Sequence, residues 1–177
     1  MPGVKIRAGR TTDSQGFLRL VLALAEFEKL PAPTKEGRDR LVRDVFSRKR
    51  LSLFVAAKGN RLVGYALYFY TYSSFLAKPT LYLEDLYVLE EYRKKGVGRA
   101  LLERCIEEAA AQECGRMEWS VLTWNVKAIE FYEKLGAKRL ADWQMYRLDE
   151  QALRRLATST APMSGRGLTP KPRKAPA

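Results

Sequence analysis

LYLEDLYVLEEYRKKGVGRALL, residues 81–102, reads as a buried strand, a basic glycine loop and the first turns of a helix. Leu81, Tyr82, Leu83, Leu86, Tyr87 and Val88 form an apolar run too short for a helix and rich in strand-favouring aromatics. Two carboxylates, Glu84 and Asp85, interrupt it. From Val97 onward Leu101, Leu102, Cys105, Ile106, Ala109 and Ala110 recur at helical spacing, so Gly96 and Gly98 fall at a helix N-terminus. The first amides of a helix have no internal partners and the helix dipole adds partial positive charge there. Glycines let that backbone approach an anion closely, and Arg93, Lys94, Lys95 and Arg99 add full charges. A phosphate site is expected. The loop has no Gly-Lys-Ser/Thr of a nucleotide hydrolase and no third glycine of a dinucleotide fold.

Composition narrows the remaining classes. The length of 177 residues and 46% hydrophobic content suit one domain with a substantial core. Histidine is absent, so a general base has to be a carboxylate, a tyrosine, a lysine or a water chain. Histidine triads and most zinc sites are thereby excluded, and no metal is expected. Two cysteines give no disulfide framework, and Cys105 sits on the apolar helix face, which points to a reducing cytoplasm. The apolar segment Phe17–Leu30 is broken by Arg19, Glu26, Glu28 and Lys29, so it reads as neither a signal sequence nor a membrane span.

The net charge of +12 raises nucleic acid as a partner. Four of those excess charges, Arg166, Lys171, Arg173 and Lys174, lie in a Pro/Ser/Gly/Thr-rich tail. The expected division is a domain over 1–156 and a disordered basic tail over 157–177. Nucleic-acid binding needs a continuous basic face with aromatics available for stacking, whereas Tyr82, Tyr87 and Trp119 fit a packed sheet, so it is not the expected function. A basic surface equally speeds capture of an anionic cofactor.

In chain order, Val4–Ala8 alternates as a first strand, and Thr11 to Asp13 supply N-cap chemistry for a helix carrying Phe17, Leu18, Val21, Leu22 and Ala25. Pro31 and Pro33 close it, and Thr34 caps a second helix. Residues 51–57 and 62–72 flank Gly59-Asn60 as a hairpin. The strand from Leu81 and the helix from Val97, closed by Gly115, lead to a fifth strand over 117–122, parallel to the fourth. A short helix stopped by Gly136 and two strands within 138–148 complete the order. The expected class is α/β (α+β), a mixed and mostly antiparallel sheet with helices on both faces.

The pattern Arg93-x-x-Gly96-x-Gly98-x-Ala100 resembles the acyl-coenzyme A loop of the GNAT superfamily of N-acetyltransferases. Trp124-Asn125 followed by Ala128-Ile129-Glu130-Phe131-Tyr132-Glu133-Lys134-Leu135-Gly136-Ala137 resembles its second signature, and the likeness spans about residues 4–148. It implies transfer of an acetyl group from acetyl-CoA to an amine, with Leu86, Tyr87 and Val88 holding pantetheine through their backbone. Arg93, Lys94, Lys95, Gly96, Val97, Gly98 and Arg99 would cradle the pyrophosphate, Asn125 and Ala128 would lie along the pantetheine arm, and Tyr132 would be the general acid. A homodimer is implied by the same analogy.

Within the superfamily the chain resembles the diamine and thialysine acetyltransferases, through Leu24-Ala25-Glu26-Phe27-Glu28-Lys29-Leu30, Tyr82-Leu83-Glu84-Asp85 and Trp124-Asn125. Phe27 and Glu28 match amine-contacting positions, Glu118, Trp119 and Ser120 align with a further substrate segment, and the carboxylates of Glu28, Glu84 and Asp85 favour a cationic amine as the bound substrate. Where the polyamine enzymes carry Asp-Pro-Trp, this chain has Ser73-Ser74-Phe75, which removes a carboxylate suited to a distant ammonium. Short diamines, thialysine-like amino acids and lysine side chains or protein N-termini stay open as acceptors, as does a non-catalytic acyl-CoA sensor.

A primary amine with a pKa near roughly 10.4 is on the order of one part in a thousand neutral at pH 7, so deprotonation costs about 4 kcal/mol. Glu84 is the candidate base, directly or through water. Strand alternation puts Glu84 and Asp85 on opposite faces unless a bulge intervenes. On periodicity alone, Tyr132 belongs to a core stripe with Ala128, Phe131 and Leu135; only the family resemblance makes it an acid.

Overall fold

The protein is described by a computed structural model covering residues 3–159. Its chain divides into two compact units, one closing at Val126 and the other opening at Lys127. The first holds a five-stranded sheet in the order β1 (Val4–Ala8), β2 (Ser52–Lys58), β3 (Arg61–Ser73), β4 (Lys78–Val88), β5 (Arg116–Trp119). Strands β1 to β4 are antiparallel neighbours; β4 and β5 are parallel, as the crossing helix between them requires.

Helix α1 (Ser14–Glu28) and the segment Arg43–Ser47, which continues α2 (Lys35–Val42), cover one face. Phe17, Leu20, Val45 and Phe46 pack there on Leu53, Val55, Tyr65, Leu67 and Tyr87. Helix α3 (Val97–Ala111) covers the other, where Arg104 lies 4.7 Å over the Phe54 ring and Leu101 approaches Gly64. Cys105 is wholly buried on α3's inner side, and that burial pushes its thiol up to about 12.

Local chemistry explains the boundaries. Thr34 Oγ1 accepts from the Gly37 amide, as its capping role anticipates. The β2–β3 turn carries Gly59 at φ +57, the hairpin read from Gly59-Asn60. Asp13 does not cap α1: its carboxylate takes Arg7 in a two-point ion pair at 2.6 and 2.9 Å and the Arg10 amide at 2.7 Å. Gly115 does not end α3, which stops at Ala111 with Glu113 in the left-handed region. A Cβ on Gly115 would lie 2.9 Å from Leu76 Cδ1, so this glycine serves the approach of the β3–β4 turn instead.

Gly64 has a similar duty at higher stakes. A Cβ there would sit 2.8 Å from the Tyr87 carbonyl oxygen and 3.3 Å from Leu101 Cδ1, and a strand backbone cannot yield as a side chain can. Gly64→Ala is expected to cost about 1–3 kcal/mol, seen as a lower urea midpoint at unchanged slope.

The second unit carries α4 (Val126–Lys134), all but its first residue, and α5 (Glu150–Thr158). Gly136 at φ +89 follows α4, and the amides of Leu135 and Ala137 return to the Tyr132 carbonyl, as the stop signal predicts. The two strands expected within 138–148 are not formed. That segment is irregular, and Leu140, Trp143, Met145, Tyr146 and Leu148 are exposed. Alternating apolar residues make a strand only where a neighbouring strand satisfies the backbone, and none pairs there among the described residues. Most of the expected 157–177 tail, from residue 160, lies outside the described residues.

Candidate active site

The site is built where β4 loses a neighbour. Thr80 to Leu83 pair with Arg116 to Trp119, and β5 ends there while β4 runs on to Val88. From Glu84 to Val88 the strand therefore has β3 on one side and an open edge on the other. Leu89 N–H donates to Val63 O at 3.0 Å, and backbone direction alternates along an antiparallel strand. Tyr87 accordingly turns its amide and carbonyl to β3, whereas Leu86 and Val88 present theirs at the open edge. Of the three residues expected to offer backbone groups to a ligand, two are so placed and Tyr87 is not.

Register supplies what alternation alone could not. Leu67 pairs with Asp85 and its neighbour Tyr68 with Leu83, so Glu84 is the extra residue of a β-bulge. The bulge reverses the faces of β4. Leu81 and Leu83 face α3 before it; Asp85 and Tyr87 face α1 after it, beside the C-terminal end of α1. Glu84 is exposed at the bulge, and its charge acts on Asp85 together with that of Glu28. Glu28 and Glu84 thus both act electrostatically on Asp85.

Their environments differ. Burial pushes Asp85 up to about 6, and the Glu84 and Glu28 charges add to this, against a hydrogen bond from Tyr65 that favours ionisation. Tyr65 Oη donates to Asp85 Oδ2 at 3.0 Å from a residue with no exposed surface. Burial also raises Glu28. Because Asp85 binds its proton more tightly folded than unfolded, this group favours folding below its ordinary value of 3.8 and opposes it above about 6. Asp85→Asn is expected to remove up to about 3 kcal/mol of stability lost between pH 4 and pH 7, so that the difference in urea stability between variant and parent grows over that interval and levels off above it.

Aromatic rings wall the carboxylates. Phe27 lies 6.3 Å from Tyr87 and 5.6 Å from Trp124, with the Arg93 guanidinium 4.5 Å above its ring. Arg93 also donates Nε–H to Val88 O at 2.8 Å, which ties the loop to the end of β4. Glu118 pairs in register with Tyr82 and is bridged by Arg116 at 3.0 Å, while Trp119, paired with Leu83, faces the α3 side. Ser120 Oγ lies 3.0 Å from Tyr82 Oη. The expected substrate set thus splits: Phe27, Glu28, Glu84 and Asp85 gather, and Trp119 turns away from them.

At the loop, Lys94 adopts φ +57 and Gly96 φ +80, curling the chain into the N-terminus of α3. Lys94, Lys95, Gly96 and Arg99 are exposed and Val97 is buried beneath them. A Cβ at Gly98 would be 3.7 Å from Val88 Cγ2, so packing does not require glycine there. Asn125 immediately precedes α4, and in the second unit Ala128 and Tyr132 lie on that helix, with Tyr132 5.2 Å from Phe131 and its phenol pushed up to about 12 by burial.

Residues 20–137 match the acetyltransferase (GNAT) family. The chain belongs to that family. This GNAT chain is 34% identical over 169 residues to thialysine N-epsilon-acetyltransferase of Sus scrofa, covering 89% of this chain and 99% of the relative. It is 44% identical over 102 residues to L-ornithine N5-acetyltransferase of Arabidopsis thaliana, covering 56% of this chain and 45% of that protein. A crystal structure of a probable acetyltransferase superposes with a TM-score of 0.73 at 24% identity over 82% of this chain and 97% of the other, which matches the fold. The GNAT chain is thus an N-acetyltransferase with a mixed, mostly antiparallel sheet. Among the described residues no helix is long and apolar enough to cross a membrane, and no cluster of acids and cysteines is arranged to hold a metal ion.

Sequence reading missed Tyr65 and the stacking of Arg93 on Phe27. Tyr65 stands six residues past Gly59 in a strand rich in aromatics, with nothing local to separate it from the core. Its partner is fixed only by the β3–β4 register.

Proposed function

We propose that this enzyme transfers the acetyl group of acetyl-CoA to the primary amine of a small cationic acceptor, a short diamine or a thialysine-like amino acid. The observation that carries this reading is the open edge of β4 beside the convergence of Glu28, Glu84 and Asp85. Thialysine and ornithine are the substrates named for the two relatives, and both carry an ammonium that three carboxylates and the Phe27–Trp124 wall suit.

The residues present fit acetyl-CoA. Gly96 in the left-handed region, the exposed Lys94, Lys95 and Arg99, and the bare backbone at Gly98 form an anion cradle. Leu86 and Val88 offer extended backbone at the open edge for an amide-bearing arm, and Asn125 and Ala128 are assigned to that arm on the family signature. The bound thioester supplies an activated acetyl group. One of these carboxylates would take the amine's proton, and Tyr132 would give its proton to the departing sulfur. The family likeness alone supports a homodimer, which light scattering would show as twice the 20.2 kDa of one chain.

Mass spectrometry of reactions holding acetyl-CoA with thialysine, ornithine, putrescine, spermidine and a lysine peptide in competition tests the acceptor. Monoacetylated small amines ahead of the peptide are expected; an acetylated peptide alone would replace the proposed acceptor class.

A further inference from the structure

Within the proposed reaction, the geometry points to Asp85, not Glu84, as the group that accepts the amine's proton, with Tyr65 as the residue that positions it. This rests on the functional reading above. Asp85 is the carboxylate of the three whose orientation is fixed. Tyr65 Oη holds Oδ2 at 3.0 Å, and Tyr65 is itself locked, its ring edge-on to Phe17 at 5.2 Å and tilted against Tyr87 at 6.5 Å. Among the described residues no other side-chain hydrogen bond reaches the Asp85 carboxylate, so Oδ1 is the oxygen available to a proton. Glu84 stands exposed on the bulge, where water screens its charge.

The groups facing Asp85 are Tyr65 from β3, Glu84 and Tyr87 from β4, and Glu28 from α1; Arg93 lies beyond, 5.4 Å from the Tyr87 ring. Glu28 and Glu84 attract the ammonium and make Asp85 a stronger base. Tyr65 opposes that effect, because its O–H bond stabilises the carboxylate. In the step itself, one N–H bond of the ammonium breaks and an O–H bond forms on Oδ1. The nitrogen keeps the electron pair that attacks the acetyl carbon, and Asp85 later returns the proton to solvent. Tyr65 keeps its own proton throughout.

The test is the pH profile of kcat/KM for the amine, measured from pH 5 to 9 at saturating acetyl-CoA, in the parent, Tyr65→Phe, Asp85→Asn and Glu84→Gln. The parent should show a limb near pH 6. Tyr65→Phe should move that limb up by about one unit, a loss of roughly tenfold at pH 5.5 that vanishes by pH 9. Asp85→Asn should lose the limb and at least about 100-fold in rate, whereas Glu84→Gln should keep a limb, displaced downward because a charge beside Asp85 is gone, with its loss falling on KM for the amine and not on kcat. An unmoved limb in Tyr65→Phe, or a limb lost with Glu84 and kept without Asp85, overturns the assignment. Carboxyl carbon NMR of Asp85 in the parent and Tyr65→Phe reads the positioning without turnover. An upward shift in the variant supports it and equal titrations overturn it. Absence of turnover with every amine overturns the functional reading and the proton-acceptor role with it, whatever the NMR titration shows.

Discussion

Tyr132→Phe is expected to lower kcat by about 100-fold or more while changing the affinity for acetyl-CoA by less than about threefold, in the range that loss of a general acid produces. Burial pushes this phenol up to about 12, so it holds its proton across the whole working range and is always loaded as a donor. The substitution removes one oxygen and keeps the ring that lies 5.2 Å from Phe131, so packing in the second unit is preserved. That separates the two roles open to this residue. If Tyr132 only fills the apolar stripe of α4, the phenylalanine variant turns over as the parent does, and a thermal melt alongside shows whether the helix is intact.

Gly98→Glu should reduce acetyl-CoA affinity by about 100-fold, read by calorimetry, while leaving thermal stability equal or raised. Gly98 is the second residue of α3, where an acidic side chain complements the helix dipole by about 0.3–1 kcal/mol and where leaving glycine removes a helix penalty of similar size. The nearest atom to a Cβ there, Val88 Cγ2 at 3.7 Å, makes an ordinary contact. Stability therefore gives no reason to keep glycine at this position. A carboxylate in the cradle meets the pyrophosphate with bulk and like charge together. Unchanged affinity would show that the loop is a solvated helix start and that acetyl-CoA binds elsewhere.

The parts of the fold written locally were legible. The hairpin at Gly59-Asn60, the cap at Thr34, the helix stop at Gly136 and the strand, glycine loop and helix from Leu81 each depend on residues within a few positions of one another. Features set by pairing at a distance were not. The bulge at Glu84 exists only because Leu67 and Tyr68 take Asp85 and Leu83 as partners, and alternation along β4 alone put the two carboxylates on opposite faces. The same register brings Tyr65 to Asp85, twenty residues apart in sequence. Asp13 looked like a helix cap and is held instead by Arg7 on β1, a competition for the carboxylate that local spacing does not reveal. The alternation from Leu140 to Leu148 carried a strand signal, but no neighbouring strand pairs with it among the described residues.

Release of free thiol from acetyl-CoA, followed with thialysine, ornithine, putrescine, spermidine and lysine added singly to the unaltered protein, tests the central claim most directly. The enzyme described here should release thiol only when an amine is present, at least tenfold above hydrolysis without one, and fastest with a short cationic acceptor. Release no faster with any of the five amines than in their absence would contradict the claim that this open-edged, three-carboxylate site acetylates small cationic amines.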